Sequence, residues 1–367
     1  MNGEFYKNFA KKGNSMRLSW IDAIKGLAII AVVFGHVEIR YYDSGLFPEQ
    51  AFLLKAIGDF GHTFRMPLFF LLSGYLYELT WNERKNISWS KIKGKFCDIG
   101  ILYLMFAVLY WITKFGTSVF SHNAVMVHKV TIWDLVLIPV KPFNYLWFLW
   151  VLTLLFLLVP CLHKLSFKRE TIVSLFTVGY WFPWEVLINN EGMLSGLTQF
   201  FYGGFYFTLG SYLRYRHFES IGLKIKSWML PLVLLICIGN SYAYLSGIGK
   251  EWTHTTHETI IALAASYIIW YVFIEYWDRN DWVGNRFFRL CGQKSLEIYL
   301  LHMYFVGALV NVFHRAGIGN LWLLIAMGTI IAVFIPLGVA LLADRWKWVH
   351  NIFHPADWLR SRGLLRE

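Results

Sequence analysis

The sequence is short of charge. Asp, Glu, Lys and Arg make up 16% of its 367 residues, where a soluble domain usually carries about 25%. Water around a core of this size would demand more polar surface than the chain holds. With 57% hydrophobic and 19% aromatic residues and a mean hydropathy of +0.46, the composition argues against an ordinary soluble domain. It points to lipid as the solvent.

The common local signatures of catalysis are missing as well. There is no GxSxG elbow, no Walker loop, no HExxH helix and no Gly-rich dinucleotide fingerprint. Cys97, Cys161, Cys237 and Cys291 form no CxxC pair and read as bystander hydrophobes. His254 and His257 lack further ligands at a useful spacing, so no metal is expected. No internal repeat, low-complexity stretch or separate soluble domain is visible. A cleavable signal is not expected either: Asp22 and Lys25 interrupt the first apolar run and no small-x-small site follows it. That run reads as a retained first helix.

What the chain does hold is a series of long apolar segments. Ten are expected to span, near residues 20–37, 64–80, 98–114, 145–162, 171–188, 194–213, 228–246, 258–277, 295–313 and 321–343. The expected fold is therefore all-α, a polytopic membrane helix bundle. The net charge of +11 sits in short clusters between the spans, which suits a membrane surface better than nucleic acid. With both termini placed in the cytoplasm, the inner segments hold 25 Lys and Arg and the outer ones 7, as the positive-inside rule requires. Residues 1–343 then form one transmembrane domain. Residues 344–367 form a cytoplasmic amphipathic tail, where Trp346, Trp348, Phe353 and Trp358 alternate with basic residues.

The first span is the most informative. Asp22, Lys25 and His36 are ionisable residues in an apolar run, and such residues usually face a bundle interior or a wet cavity. Lys25 and His36 are about three helical turns apart, roughly 16 Å, on nearly one face that Asp22 joins. A coenzyme A thioester carries phosphates at one end and its acyl group on a long arm. Lys25 at the inner end could hold the phosphates, with His36 as a general base near the outer end. The spacing equally suits a Lys25–Asp22 pair with His36 as a satisfied core residue.

Further candidates lie in other spans. Arg65 is close in depth to His36, as an interface anchor or a substrate-binding group. Ser73, beside Gly74, reads as a packing position before a nucleophile. Trp147, in the stretch Asn144 to Leu149, belongs either to an interfacial belt or to a sugar-stacking platform. Glu297 and His302 open the ninth span five residues apart, on different sides of the helix. A lone His302 is more often a hydrogen-bonded core residue than a catalyst.

Together these stretches resemble the membrane acyltransferase-3 family, in particular its fucose 4-O-acetylase-like branch. The resemblance rests on Asp22, Lys25, Gly26 and His36, on Met66-Pro67 through Ser73-Gly74, on the Leu-Trp-Phe-Leu of 146–149, and on the Ser-Leu-x-Ile-Tyr-Leu-x-His of 295–302. Lys91, Lys93 and Lys95 fit the family pattern too, without the proline-tyrosine step that should follow. Lys25 stands where many members carry Arg, and a point charge lacks the guanidinium's fork. The resemblance implies an enzyme moving an acetyl group from acetyl-CoA to a hydroxyl of a surface or lipid-linked glycan. It also implies that Lys25 and His36 are required. No permanently bound cofactor and no nucleic-acid partner is expected, and the location implied is a bacterial-type inner membrane. The alternative is a transporter or exporter of a glycan or lipid-linked intermediate, for which buried charges in many helices are also suited.

Overall fold

A computed structural model describes residues 19–81, 88–120, 130–188, 191–216, 229–246, 254–274 and 283–364. The basic N-terminal segment 1–18, the last three residues and several loops counted in the charge balance lie outside them. Every regular element among the described residues is helical. This is what an apolar chain in lipid requires, because a helix satisfies its backbone polar groups within one segment.

The main helices are α1 (Ser19–Ser44), α2 (Ala51–Trp81), α3 (Trp89–Phe96), α4 (Leu102–Phe120), α5 (Ile132–Val136), α6 (Trp147–Lys164), α7 (Arg169–Trp181) and α8 (Glu191–Tyr215). They continue with α9 (Met229–Leu245), α10 (His254–Val272), α11 (Val283–Gln293), α12 (Ser295–Arg315), α13 (Leu321–Ala343), α14 (Lys347–Phe353) and α15 (Pro355–Ser361). A π-helical turn, Cys97–Ile101, joins α3 to α4. Most of the expected apolar segments fall on these helices, while residue 228 of the segment 228–246 and residues 275–277 of the segment 258–277 lie outside the described residues. The segment expected over 171–188 stops at Trp181, because Pro183 holds Phe182 extended, with φ −72° and ψ 132°. Five stretches among the described residues are long and apolar enough to cross a membrane: Ser19–Ser44, Trp89–Ser118, Asn144–Lys164, Ser295–Arg315 and Leu321–Ala343.

Helix α1 is the hub, packed against α2, α11, α12 and α13. Glycines set its closest approaches. A Cβ at Gly26 would strike the Phe288 carbonyl and a Cβ at Gly292 would strike the Asp22 carbonyl. The backbones of α1 and α11 therefore meet where neither carries a side chain, the small-residue packing that membrane helices favour. Gly74 of α2 meets the Phe207 carbonyl of α8 in the same way.

Contacts fix the relative directions of the helices. Gly26 meets Phe288 and Asp22 meets Gly292, so α11 runs antiparallel to α1 and ends beside Asp22. Helix α12 starts there, at Ser295, and reaches His36 at His302, so α1 and α12 run parallel. Gly35 meets Arg65 and Gly58 meets Glu38, so α1 and α2 run antiparallel. Phe70 faces Phe148 and Tyr77 faces Phe156, which makes α2 parallel to α6. Gly179 meets Phe201 and Gly204 meets Phe176, which makes α7 antiparallel to α8.

The tail forms two short helices, α14 and α15. It is pinned where Lys294 reaches Asp344 at 2.7 Å and where Phe353 packs 5.9 Å from Phe106 between ring centroids. Trp346, Trp348 and Trp358 remain exposed.

Candidate functional site

Near the end of the bundle opposite Asp22, three aromatic or imidazole rings converge. His36 of α1 lies 5.2 Å from His302 of α12 and 6.5 Å from Tyr145, between ring centroids. Tyr145 lies 5.5 Å from His302. Each arrives for a local reason. His36 is half-buried on the helix face that meets α12. Tyr145 is aimed by Asn144, which holds a left-handed φ of 52°, a conformation Asn tolerates better than most residues. The Tyr145 hydroxyl then donates to the Leu300 carbonyl at 2.8 Å, and the Tyr299 hydroxyl donates to the Tyr145 carbonyl. These bonds tie the loop before α6 to α12.

His302 is fully buried, and its hydrogen bonds decide its tautomer. Nδ1 lies 2.8 Å from the Tyr299 carbonyl and 3.1 Å from the Ile298 carbonyl. Carbonyls only accept, so Nδ1 carries the proton and Nε2 keeps its lone pair in the neutral ring. That Nε2 is buried without a partner among the described residues. A histidine expected to be a satisfied core residue is therefore satisfied on one side only.

Arg65 of α2 flanks the pair. It is 6% exposed, and its guanidinium occupies the space that a Cβ at Gly35 would fill. Glu38, 1% exposed, lies against Gly58 on the other side of the same helix crossing. No ion pair or hydrogen bond joins the guanidinium and the carboxyl group among the described residues.

The other end of α1 holds a separate polar group. Asp22 is buried, with Lys25 Nζ 3.9 Å from one carboxylate oxygen and Gln293 Nε2 donating to the other at 3.4 Å. The Lys25 side chain stays 25% exposed, and its 3.9 Å approach to Asp22 is long for an ion pair. Glu297 is at this end too, 3.4 Å from Lys294 and 3.9 Å from His354 of the tail. It belongs with the tail rather than with His36.

The remaining candidates lie apart from the histidines. Trp147 packs 5.9 Å from Phe70 and 6.1 Å from Tyr202 between ring centroids. Ser73 is half-buried beside the Gly74 contact with α8. Nδ1 of His257 lies 3.0 Å from Asn240 Oδ1, while the His254 side chain lies outside the described residues. No group of three His, Cys, Asp or Glu able to hold a metal occurs among the described residues.

Sequence reasoning passed over Tyr145 and Glu38. Tyr145 stood in a stretch where Trp147 drew attention. Glu38 fell one residue beyond the end drawn for the first span, although a carboxylate so close to His36 could have marked it.

No curated protein and no solved structure matches the chain. A family model described as an acyltransferase domain matches residues 18–341, from the start of α1 to the end of α13. This integral membrane protein is an acyltransferase of the acyltransferase-3 family.

Proposed function

We propose that the protein moves an acetyl group from acetyl-CoA to a sugar hydroxyl of a cell-surface or lipid-linked polysaccharide, as in the fucose 4-O-acetylase-like branch. His36 is the general base. The observation that carries the reading is the His36–His302 pair inside the bundle, one half-buried imidazole facing a second that presents a lone pair.

The step is simple in outline. His36 takes the proton of the sugar hydroxyl as its oxygen attacks the thioester carbonyl carbon. The tetrahedral intermediate re-forms its C=O bond and expels the thiolate, which receives the proton from His36. Ester and free thiol result. A sugar hydroxyl is a poor nucleophile while it keeps its proton, and general-base help of this kind contributes about 10²–10⁴-fold. His302, with its proton committed to backbone carbonyls, can accept from the His36 ring and hold it in one tautomer. Lys25, partly exposed three turns away, holds the phosphate end of the donor, and Asp22 sets its direction. No metal and no resident cofactor takes part.

The helix directions support ten crossings. In a ten-span chain the first and ninth spans run the same way, as do the second and fourth, while the fifth and sixth oppose each other. The contacts of α1 with α12, α2 with α6 and α7 with α8 follow that rule. Both termini are then cytoplasmic, the tail 344–367 lies at the inner surface of a bacterial-type inner membrane, and residues 1–343 act as one transmembrane domain.

The direct test is the acetyl content of surface polysaccharide, by mass spectrometry, in cells with and without the protein. Loss of an acetyl group, a mass of about 42 Da, is the expected result. An unchanged acetylation pattern with loss of a whole glycan from the surface would indicate export instead.

A further inference from the structure

We propose that Arg65 is the catalytic residue that stabilises the oxyanion in this reaction. The inference rests on the acyl-transfer reading above and assigns it a second catalytic group.

A guanidinium has five N–H donors and no acceptor. Buried in an apolar bundle, it is costly unless its donors are used. Arg65 is 6% exposed, yet no hydrogen bond or ion pair connects it to any described residue. A merely structural arginine at such a depth would be fastened to helix carbonyls or to a carboxylate. The carboxylate is present but set aside. Glu38 is 1% exposed, and its Oε2 is buried without a partner. It sits against Gly58 while the guanidinium sits against Gly35. Glu38 stands apart on the Gly58 side of the crossing, and the arginine donors stay unspent.

Position gives those donors a use. Arg65 lies against the backbone of Gly35, the residue immediately before His36, and its charge acts on the His36 ring. A base on α1 and a cationic donor from α2 are thus brought close together where the two helices cross at Gly35. Attack on a thioester needs both. As the sugar oxygen forms its bond to the carbonyl carbon and His36 takes the proton, the C=O electron pair moves onto the carbonyl oxygen. That oxygen then carries a full negative charge until C–S cleavage returns the pair. Donors packed against the Gly35 backbone in a buried site need little reorganisation when this charge appears. The planar fork of Arg suits an oxyanion better than an ammonium would. The absence of a side chain at Gly35 is what leaves room for it.

The test uses the full-length purified protein with acetyl-CoA as the probe, following release of the free thiol with water as acceptor and, in parallel, with polysaccharide from the producing cell. Arg65→Gln is expected to lower kcat by about 10²–10³-fold, the range seen when one oxyanion donor is removed, with the KM for acetyl-CoA within about threefold. Arg65→Lys keeps the charge and most of the bulk. It is expected to retain a small part of the activity, and it decides the question if the Gln variant does not fold. Kcat within about threefold of wild type in either folded variant would overturn the proposal. So would a raised KM at unchanged kcat, which would place Arg65 on an anionic group of a substrate. His36→Ala separates the two levels: thiol release that survives it overturns the acyl-transfer mechanism itself, whereas its loss alongside an indifferent Arg65 overturns only the present inference.

Discussion

His36 and His302 meet across the parallel contact of α1 and α12, their ring centroids 5.2 Å apart and their planes tilted by 40°. Two histidines at one site leave the base to be assigned by role. The Nδ1 of His302 is spent on the carbonyls of Ile298 and Tyr299 and its ring is fully buried, whereas His36 is half-buried and no described residue hydrogen-bonds its ring. His36→Ala is therefore expected to abolish acetyl transfer, a fall of about 10²–10⁴-fold, in a protein that still inserts. His302→Ala is expected to lower kcat less. His302→Gln, which can still present an acceptor, should recover part of that loss. Activity kept by His36→Ala and lost by His302→Ala would move the base to α12.

Lys25 faces a different demand. Its pairing with Asp22 at 3.9 Å is long for a charge-assisted bond, and its side chain stays 25% exposed. Lys25→Ala is expected to raise the apparent KM for acetyl-CoA about tenfold, the equivalent of ~1.4 kcal/mol, and Lys25→Arg to keep much of the affinity. Steady-state kinetics over a range of acetyl-CoA concentrations decides it. An unchanged KM with a lowered melting temperature would leave Lys25 as the partner of Asp22 alone.

How much of this was legible in the sequence follows from what each residue stands against. Asp22, Lys25 and His36 stand out because ionisable groups are rare in apolar runs, and helical arithmetic places them without further help. The same arithmetic separates Glu297 from His302, and the structure has Glu297 tied to Lys294 and His354 of the tail. Pairing across the chain has no such signal. Nothing in the periodicity of α1 or α12 announces that His36 meets His302, because the contact depends on how Gly26 and Gly292 let α11 and α1 close together. Nor does it announce that Gly35 makes room for a side chain from α2. Tyr145 was hidden by its neighbour: both lie in one aromatic stretch, and the left-handed turn at Asn144 sends Tyr145, not Trp147, to the histidines.

Topology offers a test independent of chemistry. The parallel run of α1 and α12 requires an odd number of crossings between them, and the ten-span arrangement supplies seven. Reporter fusions after residue 367 are expected to read as cytoplasmic, and fusions in the short connection 45–50 between α1 and α2 as external. A C-terminal fusion that reads as external would remove the ten-span arrangement and the depth assigned to His36.

The α1–α11 contact should be the most sensitive structural point outside the site. Gly26 and Gly292 each lie against a partner carbonyl, so any side chain there must push the two helices apart. Because α11 leads directly into α12, a shift at Gly292 is transmitted toward His302. Gly292→Val is expected to destabilise the folded protein by about 1–3 kcal/mol, the usual range for overpacking, and to lower kcat more than it raises the KM for acetyl-CoA. Gly307 of α12 provides the control: a Cβ there meets nothing within 4 Å, so Gly307→Ala should leave melting temperature and kcat close to wild type. The measurement is a thermal melt in detergent together with kcat for each variant. Equal effects at the two glycines would show that the α1–α11 contact does not set the spacing of His36 and His302.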